Sequence, residues 1–287
     1  MTVDKHQYTF SQLGVPVKRH RGEPGHTRDR HKNLTNQPVD MAFALEPLPA
    51  GHIGGRPLYG SMMKSINAGH TFGNRVRMVK LPLIFLDEER WAGAITQFFL
   101  LSEALEKGLA QHAAHPMVFK LKELGLEVTP GYASDLCEFY GAEWRSIAEQ
   151  EKTAATARYL EILQSADPVQ LCAAAFILYG ALVVGGGKQT QAKVQSIFPR
   201  IEHKLFDVAD DMKGARQKFK NTFTAIGKEF PEHFETMERE AARFMQLNNG
   251  VVLSIRCWSS TATKMTVAVV SIAAVATAVA FRVWRVK

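Results

Sequence analysis

An all-α fold is the prediction for this 287-residue chain. Three observations carry it. Apolar residues from Leu58 to about Asn249 recur at spacings of three and four, as one buried helix face requires. No convincing run of strand alternation interrupts them. Pro116, Pro130, Pro199 and Pro231 fall where helices should break. Seven to nine helices in a single domain over 56–253 account for the pattern, with no internal repeat.

Composition narrows the class. With 46% hydrophobic residues the chain can build one core, and its length is near the limit at which single cores stop growing. Cys137, Cys172 and Cys257 form no CxxC and no metal-ligand spacing, which reads as free thiols in a reducing compartment. A net charge of +7 raises nucleic acid as a partner, but the basic residues form no stripe with interleaved aromatics, so no nucleic acid is expected.

Residues 1–55 carry Lys18-Arg19-His20-Arg21 and Arg28-Asp29-Arg30-His31-Lys32 among scattered Pro and Gly, and read as a disordered basic extension. No secretory apolar region is present there, and Asp4, Glu23 and Asp29 argue against a transit peptide. The first helical segment bears a single histidine in Ser65-Ile66-Asn67-Ala68-Gly69-His70-Thr71. In the next, Leu86, Trp91, Ile95, Phe98, Phe99, Leu101 and Leu105 keep helical spacing, with Asp87 as cap and Glu88 and Glu89 in the first turn. Asp167-Pro168 gives a cap and a first-turn proline to the most apolar segment, which runs into Gly185-Gly186-Gly187-Lys188.

Glycine inside a helix costs roughly 1 kcal/mol relative to alanine, so three in succession end the helix or let its backbone approach something closely. A phosphate loop is excluded, because Lys188 follows Gly185 by three positions and is followed by Gln189. A di-iron centre needs paired Glu-x-x-His spacing, which Glu232-His233 with Glu235 lacks. A histidine on one helix and a glycine run on another suggest instead a flat ligand between two helices, with imidazole as an axial ligand to iron.

At the C-terminus a linker, 254–264, leads to Met265–Phe281, a stretch without charge, proline or glycine. Spans need about 17–25 apolar residues, so 265–281 is predicted to be a short transmembrane helix. Lys264, Arg282, Arg285 and Lys287 flank it, the last three in a basic tail, 282–287. Such a tail anchor leaves the domain facing the cytosol, on the endoplasmic reticulum or the mitochondrial outer membrane.

The segment Asp135-Leu136-Cys137-Glu138-Phe139-Tyr140-Gly141-Ala142-Glu143-Trp144, then Arg158-Tyr159, Pro168 and the glycine run, resembles the haem (heme) oxygenase family from about Tyr59 to Leu253. The resemblance implies a haem-oxygenase-like helical domain with haem held between the His70 helix and the Gly185-Gly186 helix. It makes His70 the iron ligand, with Asn74 where the family commonly has a glutamate near that imidazole. Gly185 and Gly186 become the distal glycine pair. Tyr179 and Phe244 become pocket residues, and Arg216, Lys218 and Lys220 the cations for the haem propionates, with Thr224 in place of one family arginine.

One departure stands out. Aligned without a gap, Leu182 replaces the family's catalytic aspartate, Ala181 its neighbouring glycine and Leu178 a nearby arginine; a one-residue shift brings Ala181 or Val183 to that place, and no shift recovers a carboxylate. The resemblance implies oxidative cleavage of haem to biliverdin, carbon monoxide and ferrous iron, with electrons from an NADPH-dependent or other reductase. The leucine implies an alternative: a catalytically impaired haem-binding, sensor or membrane interaction protein.

Overall fold

The structure is a computed structural model and describes residues 56–257. Among them the helices are α1 (Leu58–Ser65), α2 (Asn67–Ile84), α3 (Glu88–Gln111), α4 (Pro116–Lys122), α5 (Thr129–Tyr140), α6 (Trp144–Glu151), α7 (Ala154–Gln164), α8 (Pro168–Val183), α9 (Gly187–Ile197), α10 (Met212–Glu229) and α11 (Phe234–Ser254), with no strand. Helical fold class is as predicted; the number exceeds the expected seven to nine. The surplus comes from one-to-two-turn pieces. Ile66, at ψ −9°, separates α1 from α2, Pro116 opens the short α4, and Gly141, at φ 71°, closes α5 before a 3-10 turn and α6.

Local chemistry fixes the boundaries. The Asp87 carboxylate accepts the Arg90 amide at 2.9 Å to open α3. At α8, Asp167 accepts the Gln170 amide at 2.8 Å while Gln170 returns its side-chain oxygen to the Asp167 amide at 3.1 Å, a reciprocal capping box. Pro82 lies inside α2 without ending it.

Helix α8 is the axis of the core. Leu171 to Tyr179 are all buried, together with Leu182 and Val183. An apolar helix with no polar stripe has to be surrounded, and α3, α4, α10 and α11 pack around it. Phe176 stacks on Phe219 of α10 with ring centroids 5.8 Å apart and meets Phe223 edge-on at 5.0 Å, and Tyr159 stacks on Phe244 at 5.6 Å.

Helix α2 is built differently. Ile84 alone of its 18 residues is buried. Polar clamps hold it to α11 instead. Asn249 donates to the Gly69 carbonyl at 2.8 Å, and the Lys80 ammonium donates to the carbonyls of Val252, Leu253 and Ile255 at 3.0, 2.6 and 2.6 Å. A cation on the last carbonyls of a helix satisfies acceptors that have no intrahelical donor and opposes the partial negative charge there.

The predicted extension 1–55, most of the linker, the anchor 265–281 and the tail 282–287 lie outside the described residues. Among the described residues no single helix is long and apolar enough to cross a membrane. Helices α8 and α9, bent by 54°, pass that test only as a pair, and α8 is core.

Candidate functional site

A narrow cleft of about 140 Å³ separates α2 from the C-terminal half of α8, with α1, α10 and α11 closing its ends. His70, Asn74 and Arg77 form one row along the α2 side, at the spacing of successive turns. The α8 wall presents Ile177, Gly180, Ala181, Val184 and Gly185. No carboxylate is among the residues that line the cleft, and its ends are finished by Tyr59, Phe219, Met245 and Val252.

The row on α2 is hydrogen-bonded from end to end. Arg77 donates to Asn74 Oδ1 at 2.8 Å, which turns the Asn74 amide nitrogen toward His70 Nδ1 at 3.3 Å. His70 is exposed at the cleft. On the opposite wall, Gly180 and Gly185 carry no Cβ. A Cβ on Gly185 would lie 2.6 Å from the Ala181 carbonyl oxygen, inside any tolerable contact, and Gly186 sits at φ 87°, where glycine is favoured. The Gly180 carbonyl accepts from both the Val184 and the Gly185 amides at 2.9 Å. The five-residue reach from Gly185 closes the C-terminus of α8.

The Heme oxygenase family model matches residues 61–252. The chain belongs to the haem oxygenase family. Among solved structures it is similar to heme oxygenase 2 from Chlamydomonas reinhardtii without heme (TM-score 0.65, 23% identity, covering 71% of this chain and 100% of that one). It is also similar to heme oxygenase-2 from Synechocystis sp. PCC 6803 in complex with heme and NO (0.62, 20%, 70% and 85%). Heme oxygenase-1 from the same cyanobacterium, in complex with heme, gives 0.60, 20%, 76% and 99%. Identities this low speak to the fold alone. Among curated proteins no significant sequence match is found.

Haem as ligand fits the donor set: one exposed imidazole, a largely apolar slot and a facing wall in which Gly180, Ala181 and Gly185 leave room. The expected site residues are distributed unevenly. His70 and Gly185 face each other across the cleft, and Gly186 adjoins it as the cap of α9. Leu182, placed at the family's aspartate by ungapped alignment, is buried and does not line the cleft; Ala181 does. Neither residue supplies a carboxylate.

Tyr179 and Phe244 are core residues rather than lining. Burial pushes the Tyr179 phenol well above its ordinary value, so it stays protonated. The lining residues of α11 lie on the neighbouring face: Met245, Asn248, Asn249 and Val252. Of the three expected propionate cations, Arg216 donates to the Val183 carbonyl at 2.8 Å and thereby caps α8, Lys218 donates to the Leu124 carbonyl at 3.4 Å, and Lys220 is exposed on α10; none lines the cleft. The cation that does is Arg77.

Sequence reasoning also passed over Tyr59 and Asn249. A usable signal existed for Asn249's partner: Gly69 and Gly73 are one turn apart, and a Cβ on either would collide with α11, at Met245 or at the Asn249 side chain. Small residues at that spacing announce a close helix contact.

Proposed function

We propose that the protein binds haem in the cleft between α2 and α8 through His70 and cleaves it oxidatively to biliverdin, carbon monoxide and ferrous iron, with electrons from an NADPH-dependent or other reductase. The observation that carries this reading is the exposed imidazole opposite a wall of Gly180, Ala181 and Gly185. When bound, haem supplies the redox chemistry, being both substrate and oxygen-activating centre.

The chain's own residues bind and orient. Ligation through His70 Nε2 leaves the ring proton on Nδ1, and Asn74 is the residue in reach to accept it with its amide oxygen. That oxygen is then withdrawn from Arg77, whose guanidinium becomes free to pair with a propionate at the lip of the cleft. The apolar lining keeps bulk water from the ring faces. The segment 265–281 anchors the domain to the cytosolic face of the endoplasmic reticulum or the mitochondrial outer membrane, its lipid partner.

A second reading is favoured by Leu182 at the place the resemblance gives the family's aspartate and by a cleft lining without a carboxylate. With no side-chain carboxylate there, proton delivery falls to ordered water alone, and a catalytically impaired haem-binding, sensor or membrane interaction protein follows.

The test is a single turnover. Haem-loaded full-length protein in detergent is given reductant and air while its absorbance is followed. Loss of the Soret band with bile-pigment absorbance supports cleavage, and a stable histidine-ligated spectrum supports the second reading. Unchanged binding in His70→Ala would sink both.

A further inference from the structure

Helix α2 has its amphipathicity turned outward. Its inner faces carry glycines, Asn74 and Lys80, while Phe72, Val76, Val79 and Leu83 recur along the outer side at spacings of four, three and four. Val76 and Leu83 are partly covered, but Phe72 is 49% exposed, Met78 73% and Val79 70%, and Leu86, just beyond the helix, 66%. A contiguous apolar face of this kind on a folded domain marks a surface that something covers.

Charge identifies the covering partner. From Arg56 to Leu86 the chain has Arg56, Lys64, Arg75, Arg77 and Lys80 and no acidic residue at all. Lys80 is turned to α11 and Arg77 to the cleft, which leaves exposed Arg75 as the α2 cation beside the apolar residues; apolar side chains with a cation and no acidic neighbour are the combination that suits an anionic lipid interface. Placement agrees. Lys80 binds the carbonyls of Val252, Leu253 and Ile255, so the end of α11 leaves the domain beside α2. Nine residues lie between Ile255 and Met265, a reach of at most about 35 Å when extended.

We propose that the outer face of α2, centred on Phe72, Met78 and Val79, is an interfacial docking surface that lies on an anionic lipid bilayer. The proposal rests on the tail-anchor reading only for how the bilayer is brought near. Docking there sets the lip of the cleft, with His70 around the helix from Phe72, next to the lipid surface, where a flat apolar ligand is most concentrated.

The test uses the full chain in vesicles of roughly three parts phosphatidylcholine to one part phosphatidylserine. Cys137 and Cys257 are replaced by serine, and buried Cys172 is left in place. An environment-sensitive fluorophore is attached in turn at Val79→Cys, at Ala274→Cys in the anchor and at Ser146→Cys on α6, and quenching by brominated lipid is read. Docking predicts about twofold or greater quenching at position 79 and none at 146, whatever position 274 does. Quenching at 274 without quenching at 79 leaves the anchor standing and overturns the docking surface. Silence at both overturns both. A blue shift at 79 that brominated lipid does not touch means that a second copy or another protein segment covers the face, and quenching at 146 as well means non-specific adsorption; either also overturns the proposal.

Discussion

Asn249 of α11 donates its side-chain amide to the backbone carbonyl of Gly69 in α2 at 2.8 Å, across 180 residues of sequence. Its side-chain oxygen lies directly against Gly73, where a methyl group has no room. Gly73→Ala is therefore expected to cost about 1–3 kcal/mol by overpacking. Gly60→Ala, in α1 with open space around it, should be neutral or stabilising by up to about 1 kcal/mol, as an ordinary helix glycine. Urea unfolding of the two variants decides the matter: equal stabilities would remove the contact from the account.

Ala181 and Leu182 separate site from core on α8. Ala181→Asp places a carboxylate in the cleft and should leave stability within about 1 kcal/mol while raising the rate of bile-pigment formation. Leu182→Asp buries an unpartnered carboxyl and should lose at least about 2–5 kcal/mol. If Leu182→Asp were the tolerated and activating variant, the division of α8 into a core side at Leu182 and a cleft side at Ala181 would be wrong.

His70 and Asn74 should differ in the kind of loss they cause. His70→Ala removes the iron ligand, and the histidine-ligated spectrum disappears. Asn74→Ala keeps that spectrum but weakens haem binding by about 10- to 100-fold, because the ring loses the partner that fixes its proton. Absorbance titrations distinguish the two, and an Asn74→Ala affinity equal to that of the unmodified protein would rule out the positioning role.

Asp135 gives a pH dependence. It is fully buried and receives the Lys204 and Leu205 amides at 2.7 and 3.0 Å, holding the turn that precedes α10. Burial raises its carboxyl from an ordinary 3.8 to about 6, the two backbone donors offsetting only part of the effect. Between those values the folded protein holds a proton that the unfolded chain has released. The group's contribution to stability is therefore complete below about pH 4 and declines as pH rises through 6. Asp135→Asn should cost about 1–3 kcal/mol at neutral pH by leaving one amide badly matched. The stability difference between the two proteins should also shrink from pH 4 to 7; a difference independent of pH would contradict the raised value.

What could be read beforehand follows physical lines. Caps and breaks are local, so Asp87, Asp167 and Pro116 announced their helices correctly. The pairing of His70 with the glycine run was also legible, since imidazole and missing side chains are distinctive chemistry in any context. Facing was not. Tyr179 and Phe244 turn into the core, as does Leu182, while Ala181 turns out of it, because a helix rotates about 100° per residue. Arg216, Lys218 and Lys220 show the same blindness for charge: periodicity puts them on α10 but cannot say that Arg216 closes α8. Helix α2 defeated the usual rule altogether, since its apolar stripe faces away from the protein.

The division of α8 into a sealed side and an open side has an evolutionary reading. Leu171 to Tyr179 lie under strong packing constraint, and nearly any change there threatens folding before it touches chemistry. Ala181 is exempt from that selection. A lineage could therefore gain or lose a polar group at this one codon without passing through an unfolded intermediate, so the chemistry of the cleft is free to drift independently of the scaffold that carries it.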